Sequence, residues 1–556
     1  MVPAHLVFLD RLPLNLNGKL DRQALPKPDA HLSQPAWVAP VSAVEQQVAA
    51  IWADILGVAR VGLTDHFFEL GGHSLLAMQV TSRLRQALAL EVPLKLLFEQ
   101  PRLQGFVAAL PACARADQGR APALVALPRD GEVPLSYAQE RQWFLWQLDP
   151  DSRAYHVPSV LRLKGPLDIG ALQRSFDHLV ARHESLRTVL RHGSDGTVQV
   201  VREPAPVVIS HSNVQEADLQ TCVEAKIALT FDLEQGPLLR VDLLRLAEDD
   251  HVLVLVQHHI VSDGWSMQVM VEELVQVYAA FSQGQEVRLP PLPIQYADYA
   301  VWQRQWMEAG EKARQLSYWR ELLGGEQPVL ELPFDYQRPA EQSHRGARSH
   351  IEIPTSLLVD LKALAQREGV TLFMLLLASF QVLLHRYSGQ QDIRVGVPIA
   401  NRNRVETERL IGFFVNTQVL KAEIDGHVSV RQLLAQVKER ALGAQAHQDL
   451  PFEQLVEALQ PERSLSLNPL FQVMFNHQAE RRQGMSTAAL HELRVEGLAW
   501  ESHTAHFDLD LDVHESSEGL AASLGYATDL FTAATIERMG RHWHNLLQAM
   551  VADPQQ

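Results

Sequence analysis

The chain has 556 residues, more than one hydrophobic core usually spans, so two to four domains are expected. Its composition, 46% hydrophobic and 21% charged, is that of a globular protein, and its apolar runs are too short or too interrupted to cross a bilayer. A net charge of −17 without any long Lys/Arg stripe argues against nucleic acid as a ligand, because a phosphate backbone would be repelled. Cys113 and Cys222 stand far apart without His partners at metal-like spacing, so neither a disulfide framework nor a metal centre is expected. The opening MVPAHLVFLD has no basic region leading into a long apolar stretch and a small-residue cleavage site. A cytoplasmic location follows by default.

In chain order, residues 1–29 carry a short strand at Leu6–Leu9 and the turn-rich string LPLNLNGKLDRQALP, too little for a core. Four prolines between 26 and 40 resist regular structure, and a linker is placed at 30–38. From Ser42 the pattern turns helical: Val44, Val48, Ile51 and Ile55 recur every three or four residues, with Gly57 placed to end the run. After the loop VGLTDHFFELGGH a second helix opens at Ser74, striped by Leu76, Val80, Leu84 and Leu88, and two shorter helices follow through Leu110. Residues 39–112 therefore read as a small four-helix bundle, and the Ala- and Pro-rich stretch 113–130 as a second linker. From 131 onward helical stretches alternate with apolar runs such as HVLVLVQHHI and DIRVGVPIA that suit buried strands. That is an α/β body over 131–556, large enough for two lobes at about 131–305 and about 306–556.

Two strings carry chemistry. In DHFFELGGHSLLAMQV, Ser74 follows Gly71-Gly72 at the start of an apolar-striped helix, which exposes its hydroxyl. One reading is an ordinary N-cap serine. The other uses the same geometry: a phosphodiester on that oxygen would sit among N–H groups at the positive end of the helix dipole. A Ser/His nucleophile with His73 is set aside, because adjacent side chains rarely align and no third orienting group is apparent. The stretch FFELGGHSLLAMQV closely resembles the phosphopantetheine attachment site of peptidyl carrier proteins. That resemblance implies a four-helix carrier with 4′-phosphopantetheine attached covalently to Ser74.

The second string, HVLVLVQHHIVSDGWS, ends an apolar strand with His258-His259 and continues to Asp263-Gly264. A metal site, a satisfied core histidine pair and a turn built on Asp263-Gly264 all compete as readings; the metal reading is weak because neighbouring strand residues face opposite ways and no further ligand is evident. HHIVSDG is similar, however, to the active-site motif of the condensation-domain superfamily. LSYAQERQWFLWQL (135–148), RHESLRTVL (182–190), YADYAVWQRQ (296–305), IGFFVNTQVL (411–420), HQDLPFEQLVEAL (447–459) and NPLFQVMFNHQ (468–478) resemble that family's other motifs in the expected order. The resemblance implies two lobes, each like chloramphenicol acetyltransferase, forming a V with the motif at the floor of a tunnel between them. It makes His259 the residue nearest the reaction, as a base or as a positioning group for the acceptor amine. His258 is read as structural. Asp263 is read as a structural carboxylate pairing with an arginine of the other lobe, with Arg402 of VPIANRN as its candidate partner. Gly264 permits close approach of backbone and thioester, with a nearby N–H supporting an oxyanion.

The remaining strings take plainer readings. His183-Glu184 of RHESLRT is half of a zinc-protease helix, with Arg187 where the second histidine would stand. HFDLDLDVHE fails as a calcium loop at Val513, where glycine is needed, and reads as a strand with one solvated face. LPLNLNGKLDRQALP resembles the end of an adenylation domain, whose catalytic lysine would be Lys19. Together the resemblances imply a segment of a non-ribosomal peptide synthetase, making an antibiotic or siderophore: adenylation tail, donor carrier, and a condensation domain of the L-donor type. The implied partners are an upstream adenylation domain, a downstream acceptor carrier and a phosphopantetheinyl transferase, and a monomer is expected. An epimerising or ester-forming member of the superfamily, or an inert docking scaffold, are the alternatives.

Overall fold

The computed structural model describes residues 37–113, 121–461, 464, 466–478, 488–490, 493–498, 503–516 and 519–555. The expected strand at Leu6–Leu9, the Lys19 string, residues 30–36 of the expected first linker and 114–120 of the expected second lie outside these residues. The chain divides into two compact units, 1–117 and 118–556.

In the first unit the helices are α1 (Ala43–Leu56), α2 (Ser74–Leu88), α3 (Leu94–Glu99) and α4 (Leu103–Cys113). Ser42 and Glu45 cap α1 reciprocally: the Glu45 N–H donates to Ser42 Oγ and the Ser42 N–H to the Glu45 carboxylate. Gly57, at φ 62°, ends it in the left-handed conformation that glycine adopts without strain. Val48, Trp52 and Leu56 enter the core, whereas Val44, in the first turn, is exposed. Trp52 packs edge-on against Phe67 at 5.1 Å and beside Phe106 at 5.6 Å, and Val80, Leu84, Leu97 and Leu103 complete a fully buried centre. Each such side chain contributes about 1.5–3 kcal/mol. Trp37 and Val38, at the end of the expected first linker, pack on this unit: the Leu63 N–H donates to the Val38 carbonyl, and the Arg60 guanidinium lies 4.4 Å over the Trp37 ring.

The N-terminal lobe of the second unit contains β1 (Val133–Pro134), α5 (Tyr137–Leu148), β2 (His156–Lys164), α6 (Ile169–Arg182), β3 (Thr188–Gly193), β4 (Gly196–Val201), β5 (Ile209–Asn213), α7 (Leu219–Ala228), β6 (Leu239–Ala247), β7 (Asp250–His258), α8 (Gly264–Ser282) and α9 (Tyr296–Trp306). After α10 (Lys312–Leu323), the rest of the chain, which forms the C-terminal lobe apart from β12 and β13, contains β8 (Gly346–Ile353), α11 (Thr355–Arg367), α12 (Leu372–Ser388), β9 (Asp392–Ile399), β10 (Asn416–Glu423), α13 (Val430–Ala446), α14 (Phe452–Leu459), β11 (Val473–Gln478), β12 (Ala488–Leu490), β13 (Leu493–Gly497), β14 (Leu509–Ser516), β15 (Gly519–Ala527) and α15 (Ala533–Ala552). The expected helical bundle and two-lobed α/β body are both present.

Each lobe is built on a six-stranded sheet, ordered β12-β13-β2-β7-β6-β5 in the first and β10-β9-β11-β14-β15-β8 in the second. β7 explains its own apolar run, because it is covered on both faces. Leu253 and Leu255 pack with α6 and α8, while Val252, Val254 and Val256 pack with α5 and α7. In β14 the alternation holds as expected: Leu509, Leu511 and Val513 are buried, and Asp510 and Asp512 on the other face both pair with Arg348.

Two features depart from a simple linear partition. β13, inside the range expected for the C-terminal lobe, hydrogen-bonds antiparallel to β2, from Arg494 opposite Lys164 to Gly497 opposite Leu161. Residues 121–130, inside the expected second linker, are strapped to α9. The Trp302 indole donates to the Pro122 carbonyl at 2.7 Å, the Leu127 N–H to Asp298 at 2.9 Å, and Arg129 pairs with Asp298 and Glu184. Among the described residues no single helix is long and apolar enough to cross a membrane.

Candidate functional site

α2 opens at Ser74, and how the chain reaches it is dictated by the two glycines before it. A Cβ on Gly72 would lie 2.4 Å from the Phe67 ring and 2.6 Å from its carbonyl oxygen, and Gly71 sits at φ +94°. Only glycine fits this turn against the bundle's central aromatic. His73, at the N-cap position, provides no side-chain cap, and the first turn holds no acidic residue. A helix start of this kind presents N–H groups that have no partner inside the helix, which suits a phosphodiester carried on residue 74.

The second site lies where β7 gives way to α8. The C-terminal end of the central strand β7 delivers His258, which is buried, with its Nδ1 accepting the Ile260 N–H at 3.1 Å. Burial, reinforced by His156, His259 and Arg240 nearby, pushes its pKa down to about 3. His258 is therefore a neutral core imidazole carrying its proton on Nε2.

His259 is held differently. Its N–H donates to the Tyr155 carbonyl at 2.8 Å, and its Nδ1 lies 2.8 Å from the Ser262 carbonyl. A carbonyl only accepts, so Nδ1 carries the hydrogen, and in the neutral imidazole the lone pair is on Nε2. The Phe413 ring packs on the imidazole with centroids 4.4 Å apart.

Asp263 is the N-cap of α8 and is buried. Its Oδ1 accepts the Ser266 N–H at 2.8 Å and Arg402 Nη2 at 3.2 Å. Its Oδ2 accepts the N–H groups of Phe414 and Val415 at 3.0 and 3.2 Å. Burial alone would raise the pKa of this carboxyl, but Arg402 and the Ser266 and Phe414 N–H groups outweigh it and hold the carboxyl below its ordinary value. Arg402 is equally enclosed. Its Nη1 donates to the Thr407 and Leu410 carbonyls, Nη2 also reaches Ser266 Oγ, and the guanidinium lies 4.2 Å over the Phe414 ring. Ser266 Oγ donates to the Gly412 carbonyl and accepts the Gly412 N–H, and the Trp265 indole donates to the Glu408 carbonyl. The first turn of α8 thus grips residues 402–415 of the C-terminal lobe. A Cβ built on Gly264 meets no protein atom within 4 Å, so packing does not demand glycine there.

The structure brings together His258, His259, Asp263, Gly264 and Arg402, and places Ser74 in the other unit. Sequence reasoning assigned no role to Ser266, Gly412, Phe413 or Tyr296, although IGFFVNTQVL and YADYAVWQRQ contain three of them.

The combination defines a class. The family model described as "Condensation domain" matches residues 129–556, and "Phosphopantetheine attachment site" matches residues 46–110. The chain belongs to the condensation-domain family, with a phosphopantetheine-bearing carrier domain before the condensation domain, the arrangement of non-ribosomal peptide synthetases. Among curated proteins it is 47% identical to a subunit of linear gramicidin synthase and 42% identical to tyrocidine synthase 3, both of Brevibacillus parabrevis. Each match covers all of this chain but only 7% and 8% of the relative, so the chain spans less than a tenth of the length of these two proteins. Among solved structures, the X-domain in its complex with OxyB from teicoplanin biosynthesis matches with a TM-score of 0.73 at 29% identity, covering 79% of this chain and 97% of that one. The four-domain non-ribosomal peptide synthetase AB3403 matches with a TM-score of 0.70 at 26% identity, covering 80% and 34%.

Proposed function

We propose that the carrier domain is the donor and that the condensation domain joins its acyl or peptidyl group to the amine of an aminoacyl group on a downstream acceptor carrier. The observation that carries this reading is the orientation of His259: with Nδ1 donating to Ser262, Nε2 is the nitrogen that, in the neutral imidazole, can accept a hydrogen bond or a proton from an amine. When attached to Ser74, phosphopantetheine presents the acyl group as an activated thioester. His259 orients the attacking amine and assists removal of its proton, so that the acyl carbon can exchange its bond to sulfur for one to nitrogen, with the proton passing to the thiol that would remain on the donor arm. A main-chain N–H near Gly264, other than the Ser266 N–H that Asp263 already holds, supports the oxyanion, and the absence of a side chain at Gly264 lets the reacting carbonyl approach it. Asp263 and Arg402 touch no reacting atom in this scheme and hold the two lobes in register. Holding both reactants in one site supplies most of the rate, because the thioester needs little further activation.

In this reading a phosphopantetheinyl transferase modifies Ser74, an upstream adenylation domain supplies the donor carrier, the donor residue is L-configured, and the chain works as a monomer in the cytoplasm. The teicoplanin X-domain, whose structure is a complex with OxyB, supports a second reading in which the body is a docking scaffold. The arrangement of His259 favours chemistry. The test is to load Ser74 with an aminoacyl-pantetheine, add an aminoacyl acceptor carrier and analyse both carriers by mass spectrometry and chiral chromatography. A dipeptidyl thioester on the acceptor is expected. Inversion of the loaded residue without bond formation, or no reaction at all, overturns the reading.

A further inference from the structure

The stretch Gly412–Val415 crosses to α8 from the C-terminal lobe and is pinned along its length. Gly412 exchanges two hydrogen bonds with Ser266 Oγ, at 2.8 and 3.0 Å, and a Cβ there would lie 2.1 Å from the Tyr296 ring. The Phe413 carbonyl accepts the Tyr296 hydroxyl at 2.7 Å, and that tyrosine also meets Ser136 Oγ at 2.7 Å. The Phe414 and Val415 N–H groups both end on Asp263 Oδ2. Within this stretch the side chains divide the work. Phe414 lies under Arg402 and against Tyr296 and Tyr299, while Phe413, 8% exposed, lies against His259 with its ring tilted 54° to the imidazole.

His259 needs such a wall. The side-chain hydrogen bond to Ser262, three residues on, fixes one edge of the imidazole and leaves rotation about that bond to be limited by packing. We propose that Phe413 is a positioning residue for His259, and that Asp263 governs the reaction by fixing the Phe413 backbone rather than by contacting the imidazole. The carboxylate takes the two N–H groups that follow Phe413, Tyr296 takes its carbonyl, and the ring is thereby set at one height against His259. A displacement of about 1 Å in a reacting group is enough to cost one to two orders of magnitude in rate, so a rigid wall is a kinetic device even without chemistry of its own.

The inference rests on His259 serving the amide-forming step, and its test separates the two. In the full chain with Ser74 loaded and an aminoacyl-pantetheine as acceptor, Phe413→Ala is expected to lower kcat about tenfold with KM for the acceptor nearly unchanged, and Phe413→Leu to lower it less. In a chain selectively labelled with 15N-histidine, Phe413→Ala and Asp263→Asn are both expected to convert the His259 resonances from a single Nδ1–H tautomer to a mixture. This readout needs no turnover, so it stands even if the proposed reaction fails. In a His259→Ala background, Phe413→Ala is expected to remove no further activity. Unchanged His259 resonances in folded Phe413→Ala or Phe413→Leu chains, or losses that multiply in the double variant, overturn the proposal. Should Phe413→Ala fail to fold, judged by its thermal unfolding midpoint, Phe413→Leu carries both readouts.

Discussion

Two helix starts in this molecule, those of α2 and α8, carry the two functional motifs and are built in opposite ways. Both follow a polar string after an irregular or strand segment, and both place N–H groups where negative charge is stabilised. At α8 that position is filled from within: the Asp263 carboxylate caps the helix, is matched by Arg402, and is surrounded by N–H donors until each oxygen is satisfied. At α2 the N-cap is His73, which makes no side-chain cap, and two glycines fold the approach tightly against Phe67. One start is closed to hold two lobes together, and the other is left open for a group to be added. A helix terminus therefore says little about function until its occupant is known.

The comparison breaks outright if the open start is not the attachment point. Ser74→Ala is expected to abolish the phosphopantetheinyl mass gain completely, read by intact-protein mass spectrometry after incubation with a transferase and coenzyme A; a gain that persists puts the arm on another residue. The closed start is tested through stability. Asp263→Ala leaves the Arg402 guanidinium buried without its counter-charge, and urea unfolding is expected to show a loss of about 3–5 kcal/mol in the condensation domain. Replacing Asp263 and Arg402 together by Leu and Met is expected to recover only the part due to the unpaired charge, because the Ser266, Phe414 and Val415 N–H groups and the Thr407 and Leu410 carbonyls still lose their partners.

A third and gentler effect sharpens the same contrast by pH. His258 has its pKa lowered from 6.5 to about 3 by burial, so the unfolded chain binds this proton first as the solution is acidified. Its contribution is fully present above about pH 6.5 and is lost as pH falls from there toward about 3. In that window the unfolding free energy is expected to decline with a slope that His258→Gln reduces by up to one proton, about 1.4 kcal/mol per pH unit. An unaltered slope in His258→Gln would place the acid sensitivity in other buried histidines.

Much of this was legible because the signals were local. α1 has its capping pair at Ser42 and Glu45 and its stop at Gly57, and the doubly covered β7 announces itself by an unbroken apolar run. The two motif-bearing regions were likewise readable in place. What the sequence did not yield is whatever depends on distant segments meeting. Phe413 against His259, Tyr296 on the Phe413 carbonyl and Ser266 on Gly412 join residues more than a hundred positions apart, and nothing in the spacing of either string points to the other. The Pro- and Ala-rich composition of 113–130 reads as linker, yet 121–130 is held by Trp302 and Asp298, because main-chain groups and one arginine supply the contacts rather than an apolar stripe. Val44 fits the helical period and is exposed, since period alone does not tell where a helix outruns its neighbours.

The pairing of β13 with β2 has a consequence for how such chains recombine. A crossover placed between the lobes, near α10, would import with its C-terminal half a foreign edge for the N-terminal sheet. Besides the grip of α8 on residues 402–415, the fit would then be made at four residue pairs, Arg494 with Lys164 through Gly497 with Leu161, far along the chain from the splice. Exchange of half-domains between relatives is thus constrained in part by a strand register remote from the cut.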